Sequence, residues 1–135
     1  MSKTIFSKIV DREIPAHIIY EDELTMAFLD IEPLTEGHTL VICKEPYDHI
    51  DDCPPELYAA IFATVQKVTK LLRARLDPIR VGLVVHGFEI PHAHVHLVPL
   101  FTGTEINLAD RVNDSFKGDI AETAKKLYNN TNASY

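Results

Sequence analysis

Short apolar runs rich in β-branched and aromatic residues mark the first third of the chain, at residues 17–20 (His-Ile-Ile-Tyr), 25–29 (Thr-Met-Ala-Phe-Leu) and 38–43 (His-Thr-Leu-Val-Ile-Cys). The acidic step Glu21-Asp22-Glu23 and a turn from Pro33 to Gly37 separate them, which predicts a meander of antiparallel strands. The period then lengthens. Leu57, Ile61, Val65, Val68 and Leu72 recur at helical spacing, predicting a helix from about Pro54 to Arg75 with Asp51 and Asp52 as caps and proline in its first turn. Arg80 to Val85 and Ala93 to Leu100 read as two further strands, linked by a turn containing Gly87 and Pro91. Asp119 followed by Glu122 predicts a capped helix through about Tyr128, and the closing Asn-Asn-Thr-Asn-Ala-Ser-Tyr reads as frayed.

A chain of 135 residues with 46% hydrophobic residues is long enough for one core and too short for two. The expectation is one domain over 1–135, with its core at about 4–101 and a C-terminal extension and helix over 102–135. No apolar stretch approaches the roughly 20 residues that cross a bilayer, and the first residues lack the apolar core of a signal peptide. Cys43 and Cys53 fit neither a disulfide framework nor paired zinc-ligand spacing, so both are expected as free thiols, in the cytoplasm. A net charge of −7 argues against a nucleic-acid polymer as partner, since contact with its backbone depends on clustered Lys and Arg. It leaves a single nucleotide open.

The most informative segment is His92-Ala93-His94-Val95-His96-Leu97. Side chains alternate between the faces of a strand, so the three histidines share one face while Ala93, Val95 and Leu97 share the other. Burying three imidazoles requires partners for every ring nitrogen, which is costly unless the polar face lines a site. Imidazole suits proton transfer and nucleophilic attack near neutral pH, and it is also a common zinc ligand. The outer two Cα atoms of such a strand lie roughly 13 Å apart, too far for both rings to reach one ion without strong bending. Two adjacent histidines with a distant ligand would be easier, and His38, His49 and His86 leave that reading open.

The triad with its interleaved apolar residues resembles the signature of the histidine triad family. So do Ile5 to Ala16 (Ile-Phe-Ser-Lys-Ile-Val-Asp-Arg-Glu-Ile-Pro-Ala), Tyr20-Glu21-Asp22, Ala27 to Ile31 and Gly37 to Ile42, which follow in family order up to about residue 101. The resemblance implies an α+β fold with an antiparallel sheet of about five strands, one long helix and a C-terminal helix, assembled as a homodimer. It implies a small-molecule nucleotide substrate, no cofactor and a hydrolase of purine nucleoside phosphoramidates or related conjugates. In that reading His94 attacks the α-phosphorus and forms a nucleotidyl-histidine, His96 contacts the α-phosphate, His92 fixes ring orientations and His38 supports the array. Ile5, Phe6, Ile9, Ile14, Phe28 and Ile31 would hold the base and Asp30 the ribose. The alternatives are a nucleotide-binding module with weak catalysis and a dinucleoside polyphosphate hydrolase.

The chain departs from the family at His86-Gly87-Phe88-Glu89-Ile90-Pro91, where many members carry a Gly-Gln-Ser or Gly-Gln-Thr step that positions phosphate and leaving group. Glu89 therefore stands as a leaving-group contact, a proton donor or a solvent-facing carboxylate. His86 is the nearest counterpart of an Asn near the phosphate. Where some members place a Cys-x-x-Cys zinc pair this chain has Thr4 and Ser7, and Pro46 replaces a common histidine, so no structural zinc is expected. His49 is expected to be exposed or capping, and His17 to be an ordinary strand residue.

Overall fold

The computed structural model describes residues 3–107 and 116–128. In chain order it forms α1 (Ile5–Val10), β1 (Ile18–Glu21), β2 (Thr25–Leu29), β3 (Thr39–Cys43), α2 (Pro55–Leu76), β4 (Arg80–Val84), β5 (His94–Leu100) and α3 (Ile120–Tyr128). The strands make one antiparallel sheet in the order β1-β2-β3-β5-β4. The expected α+β architecture is thus present, with strand bounds within one residue of the sequence pattern. His17, His38 and Ala93 fall just outside their strands.

The two faces of the sheet are covered differently. Ala27, Leu29, Val41, Val95 and Leu97 face α2, whose Leu57, Ile61, Val65, Val68 and Leu72 form one continuous core with them. This is the alternation expected of a strand whose alternate residues meet an amphipathic helix. Met26, Phe28, Leu40 and Ile42 point the other way, into a smaller cluster closed by Phe6 and Ile9 of α1. Since Leu40 pairs with His96 and Ile42 with His94 across β3 and β5, the triad lies on this second face.

Two helix starts differ from expectation. Asp51 and Asp52 do not cap α2; they lie in a 3₁₀ turn, Ile50–Asp52, and α2 begins three residues later at Pro55, behind Pro54 and without a side-chain cap. Proline at the first helical position removes one of the donors that a cap would serve. The helix runs on to Leu76 and is closed by Asp77 in the left-handed region, φ 52°. The helix α1 was not predicted, although Thr4 and Ser7 form a reciprocal capping box at its start and Phe6 and Ile9 sit on one face. Six residues are too few for a periodicity signal. The helix α3 matches its prediction: Asp119 Oδ1 accepts from the Ala121 N–H at 2.9 Å, while the predicted frayed end, residues 129–135, lies outside the described residues.

The turn that delivers His38 is tightly specified. Gly37 takes φ 90°, a conformation that a side chain disfavours, and Thr35 Oγ1 donates to the Pro99 carbonyl at 2.6 Å. The Asp30 N–H donates to the His38 carbonyl at 2.9 Å, extending the β2–β3 ladder by one step. That bond sets Asp30 beside His38 at the sheet end.

Candidate active site

All three triad histidines and His38 are buried, so the polar face of β5 is roofed by α1 and is not a solvent-facing strand. Phe6 is the roof. Its ring stands edge-on to His94 (centroids 5.3 Å apart, 88°), to His92 (5.6 Å) and to Phe28 (5.3 Å). Edge-to-face contact suits an aromatic quadrupole and holds each ring without using its nitrogens.

The ring nitrogens are accounted for by a chain of hydrogen bonds that fixes each tautomer. The Leu34 N–H donates to His38 Nδ1 at 3.0 Å, so the proton of a neutral His38 is on Nε2. That Nε2–H donates to His96 Nδ1 at 2.9 Å, with Asp30 Oδ2 3.6 Å away. Because His96 Nδ1 accepts, a neutral His96 carries its proton on Nε2. His94 has the opposite tautomer: its Nδ1 lies 2.7 Å from the His92 carbonyl, which can only accept. Its Nε2, on the other side of the ring, keeps the lone pair. Adjacent rings, with centroids 4.9 Å apart, therefore present a lone pair and an N–H donor.

His92 does not join them at the cavity. Its Nε2 donates to the Cys43 carbonyl at 2.6 Å and its Nδ1 accepts from the Thr4 hydroxyl at 2.6 Å, tying β5 to β3 and to the start of α1. Burial lowers its pKa below the usual 6.5, against the raising effect of the Cys43 carbonyl, which keeps the ring neutral as the Thr4 bond requires. It is the His92 backbone carbonyl, and not its imidazole, that orients His94. Thr4 is a residue sequence reasoning did not assign to the site.

A cavity of about 330 Å³ opens beside the triad, at the lower end of the range of ligand pockets. Its lining includes all the residues expected to hold a nucleotide (Ile5, Phe6, Ile9, Ile14, Phe28, Asp30, Ile31) together with His94, His96 and Glu89. His92 and His38 stand behind it. Ile9 and Phe28 belong to the buried cluster, whereas Ile5 and Ile31 are exposed and form the rim. Asp30 is buried, and its Oδ1 accepts from the Glu32 N–H at 2.8 Å. His86 is exposed and its ring lies tilted against that of Phe88 (centroids 5.0 Å apart, 58°), outside the cavity lining. His49 and His17 are exposed, and His49 makes no capping bond.

Two groups of three potential ligands approach within 4.8 Å among the described residues, Asp30 with His38 and His96, and Glu89 with His94 and His96. Both need His96 to give a lone pair to an ion. With Nδ1 accepting from His38 and the proton on Nε2, the neutral ring has none to give, so the donor set fits a metal poorly. Thr4 and Ser7 are likewise engaged in the capping box, and hydroxyls are weaker zinc ligands than thiolates. Cys43 and Cys53 are both free and buried, and burial raises the Cys43 thiol to about 12. No described helix is long and apolar enough to cross a membrane.

An antiparallel sheet carrying a histidine array under a short roofing helix, with an acidic residue at the rim of an apolar cavity, defines an α+β protein with a small-ligand site. The HIT domain family matches residues 11–103, and the chain belongs to that family. It is 38% identical over 104 residues to a HIT-like protein of Methanocaldococcus jannaschii, covering 73% of this chain and 80% of the relative. It is 35% identical over 99 residues to an adenosine 5′-monophosphoramidase of Saccharomyces cerevisiae (70% and 61% covered). With an adenylylsulfatase of Arabidopsis thaliana it shares 31% over 100 residues (70% and 51%). Among solved structures it is similar to a zinc-bound histidine triad family protein from Mycobacterium smegmatis, at TM-score 0.78, 31% identity and coverage of 91% and 88%. A HIT-like protein from Bartonella henselae matches at TM-score 0.77, 28% identity and coverage of 93% and 94%.

Proposed function

We propose that this protein is a hydrolase of adenylyl-type conjugates, with phosphoramidates as the favoured substrates and His94 as the nucleophile. The observation that carries this reading is the pair of opposed tautomers: a lone pair on His94 Nε2 beside a proton on His96 Nε2, both at an apolar cavity edged by a buried carboxylate. The His94 lone pair attacks the α-phosphorus while His96 Nε2–H donates to a phosphoryl oxygen, on which charge develops. The bond from phosphorus to the leaving group breaks and its electron pair departs with that group; a phosphoramidate nitrogen first takes a proton from solvent and so leaves as the neutral amine. Water then attacks the nucleotidyl-His94, the P–N bond to the ring breaks, a proton passes to solvent and the free imidazole returns. The apolar wall formed by Phe28, Ile9 and Ile14 takes a purine, and Asp30 accepts from ribose hydroxyls.

Relatives named adenosine 5′-monophosphoramidase and adenylylsulfatase support an adenylyl substrate. The test is rapid quenching of the protein with a radiolabelled adenosine 5′-phosphoramidate. An acid-labile, alkali-stable adenylylated protein is expected, formed at full rate after exhaustive chelation. Turnover with no labelled protein, or turnover abolished by chelators and restored by a divalent metal, would overturn the mechanism.

We also propose a homodimer that uses the margin of the sheet formed by β4. This strand exposes Leu83, with Ile79, Val85 and Phe88 exposed close by in the chain, and an exposed apolar edge strand invites a partner. Light scattering should give about twice the 15.2 kDa chain mass. A particle of single-chain mass at micromolar concentration removes the proposal.

A further inference from the structure

The His92 imidazole is a fully buried titratable ring that takes no part at the cavity, where the backbone carbonyl of the same residue orients His94. Its nitrogens nevertheless have fixed partners. The bond to the Cys43 carbonyl places the ring proton on Nε2, so Nδ1 accepts and the Thr4 hydroxyl must donate to it, at 2.6 Å. With its one proton committed, Thr4 Oγ1 accepts from the Ser7 N–H at 3.1 Å and from the Ser7 hydroxyl at 3.3 Å. Ser7 Oγ in turn accepts from the Thr4 N–H at 3.1 Å. One hydroxyl thus caps α1 and grips the strand of the triad.

The helix needs that grip. Six residues are too few to stay helical in water without tertiary contacts. At its far end α1 is tied to the sheet by an exposed ion pair, Arg12 with Glu21 of β1, and such pairs contribute little. At its near end the Thr4–His92 bond lies between a buried ring and the buried Ser7. What α1 carries is one wall of the cavity: Ile5, Phe6 and Ile9 line it, and Phe6, two residues beyond Thr4, touches the rings of both His92 and His94.

We propose that Thr4 is a positioning residue with the His92 ring as its anchor: the bond between them docks α1 as the wall against which the base rests, and so sets nucleotide affinity. This rests on the nucleotide reading above and extends it to two side chains outside the cavity lining. An undocked α1 leaves the cleft without one side, and the observed affinity then falls with the fraction of molecules in which the wall is in place. Thr4→Val keeps the shape of the side chain and removes the hydroxyl. It leaves His92 Nδ1 a buried acceptor with no donor and the Ser7 N–H without its cap.

The test is calorimetry with AMP, which needs no turnover, on the full chain. Thr4→Val should weaken AMP about tenfold, whereas Thr4→Ser, which keeps both bonds, should stay within about threefold of the wild type. Ser7→Ala is the control for a merely structural role, because it removes half of the capping box and leaves the bond to His92; its AMP affinity should also stay within about threefold. With adenosine 5′-phosphoramidate, the Thr4→Val effect should fall on KM, with kcat within about threefold of the wild type. Amide hydrogen exchange in α1 should quicken more in Thr4→Val than in Ser7→Ala. An AMP affinity unaltered by Thr4→Val overturns the proposal, and so does an equal loss in Ser7→Ala or a loss confined to kcat. Should the wild type bind no AMP, the nucleotide reading fails, and α1 exchange alone decides the clasp: equal rates in the two variants overturn it. Should Thr4→Val not fold, Thr4→Gly carries the same measurements, since glycine starts a helix nearly as well as threonine and lacks the hydroxyl.

Discussion

Replacing His94 with alanine is expected to reduce turnover of an adenosine phosphoramidate by on the order of 10⁴-fold or more, while AMP binding stays within roughly tenfold of the wild type. The two readouts separate because the groups that perform them differ. Attack needs the Nε2 lone pair that the His92 carbonyl leaves available by holding Nδ1–H at 2.7 Å. Binding draws on the apolar wall, Asp30 and His96, all of which remain. His94→Gly opens space for added imidazole, and partial recovery of turnover with imidazole would mark the missing group as a nucleophile in that position. Turnover that persists in His94→Ala at wild-type rate would sink the assignment.

The second large effect is expected at His38, which lies outside the cavity. His38→Ala removes the acceptor for the Leu34 N–H and the donor for His96 Nδ1 and leaves a hole at a fully buried position. The expected cost is about 2–4 kcal/mol of stability, from one unsatisfied buried N–H and the cavity. Urea unfolding would measure it. A merely structural role would stop there. The positioning role predicts in addition that kcat/KM falls on the order of tenfold to a hundredfold and that His96 loses its preference for the Nε2–H tautomer, read by ¹⁵N NMR of the ring. A His96 tautomer unchanged in His38→Ala would show that something other than His38 sets it.

These two predictions depend on different amounts of sequence information. His94 was legible because three imidazoles at alternate positions share a face of any strand, whatever surrounds it. Which nitrogen carries the proton was not legible, because it is set by the Leu34 N–H, by a backbone carbonyl and by a histidine just before another strand. Thr4 escaped notice for a related reason: its bond to His92 spans 88 residues. The capping box at α1 was a readable local signal, but nothing local ties that helix to the triad. Glu89 illustrates the same limit from the other side. Its identity and its departure from the family pattern were plain, whereas its direction depends on the docking of Ile90 under Phe6.

The sequence by itself determined the antiparallel meander, the long amphipathic helix, the family and the strand that carries the alternating histidines. Each of these is written in periodicity or in a contiguous motif. Tertiary structure alone decided that the triad is roofed, that the His92 carbonyl and not its imidazole meets His94, that His96 takes the bond from His38 on Nδ1 and that the Glu89 carboxylate turns toward His96. Hydrogen bonds and charges act through space over a few ångströms, and the residues that meet at this site come from α1, the loops after β2 and before β5, and two paired strands. No window along the chain contains them together.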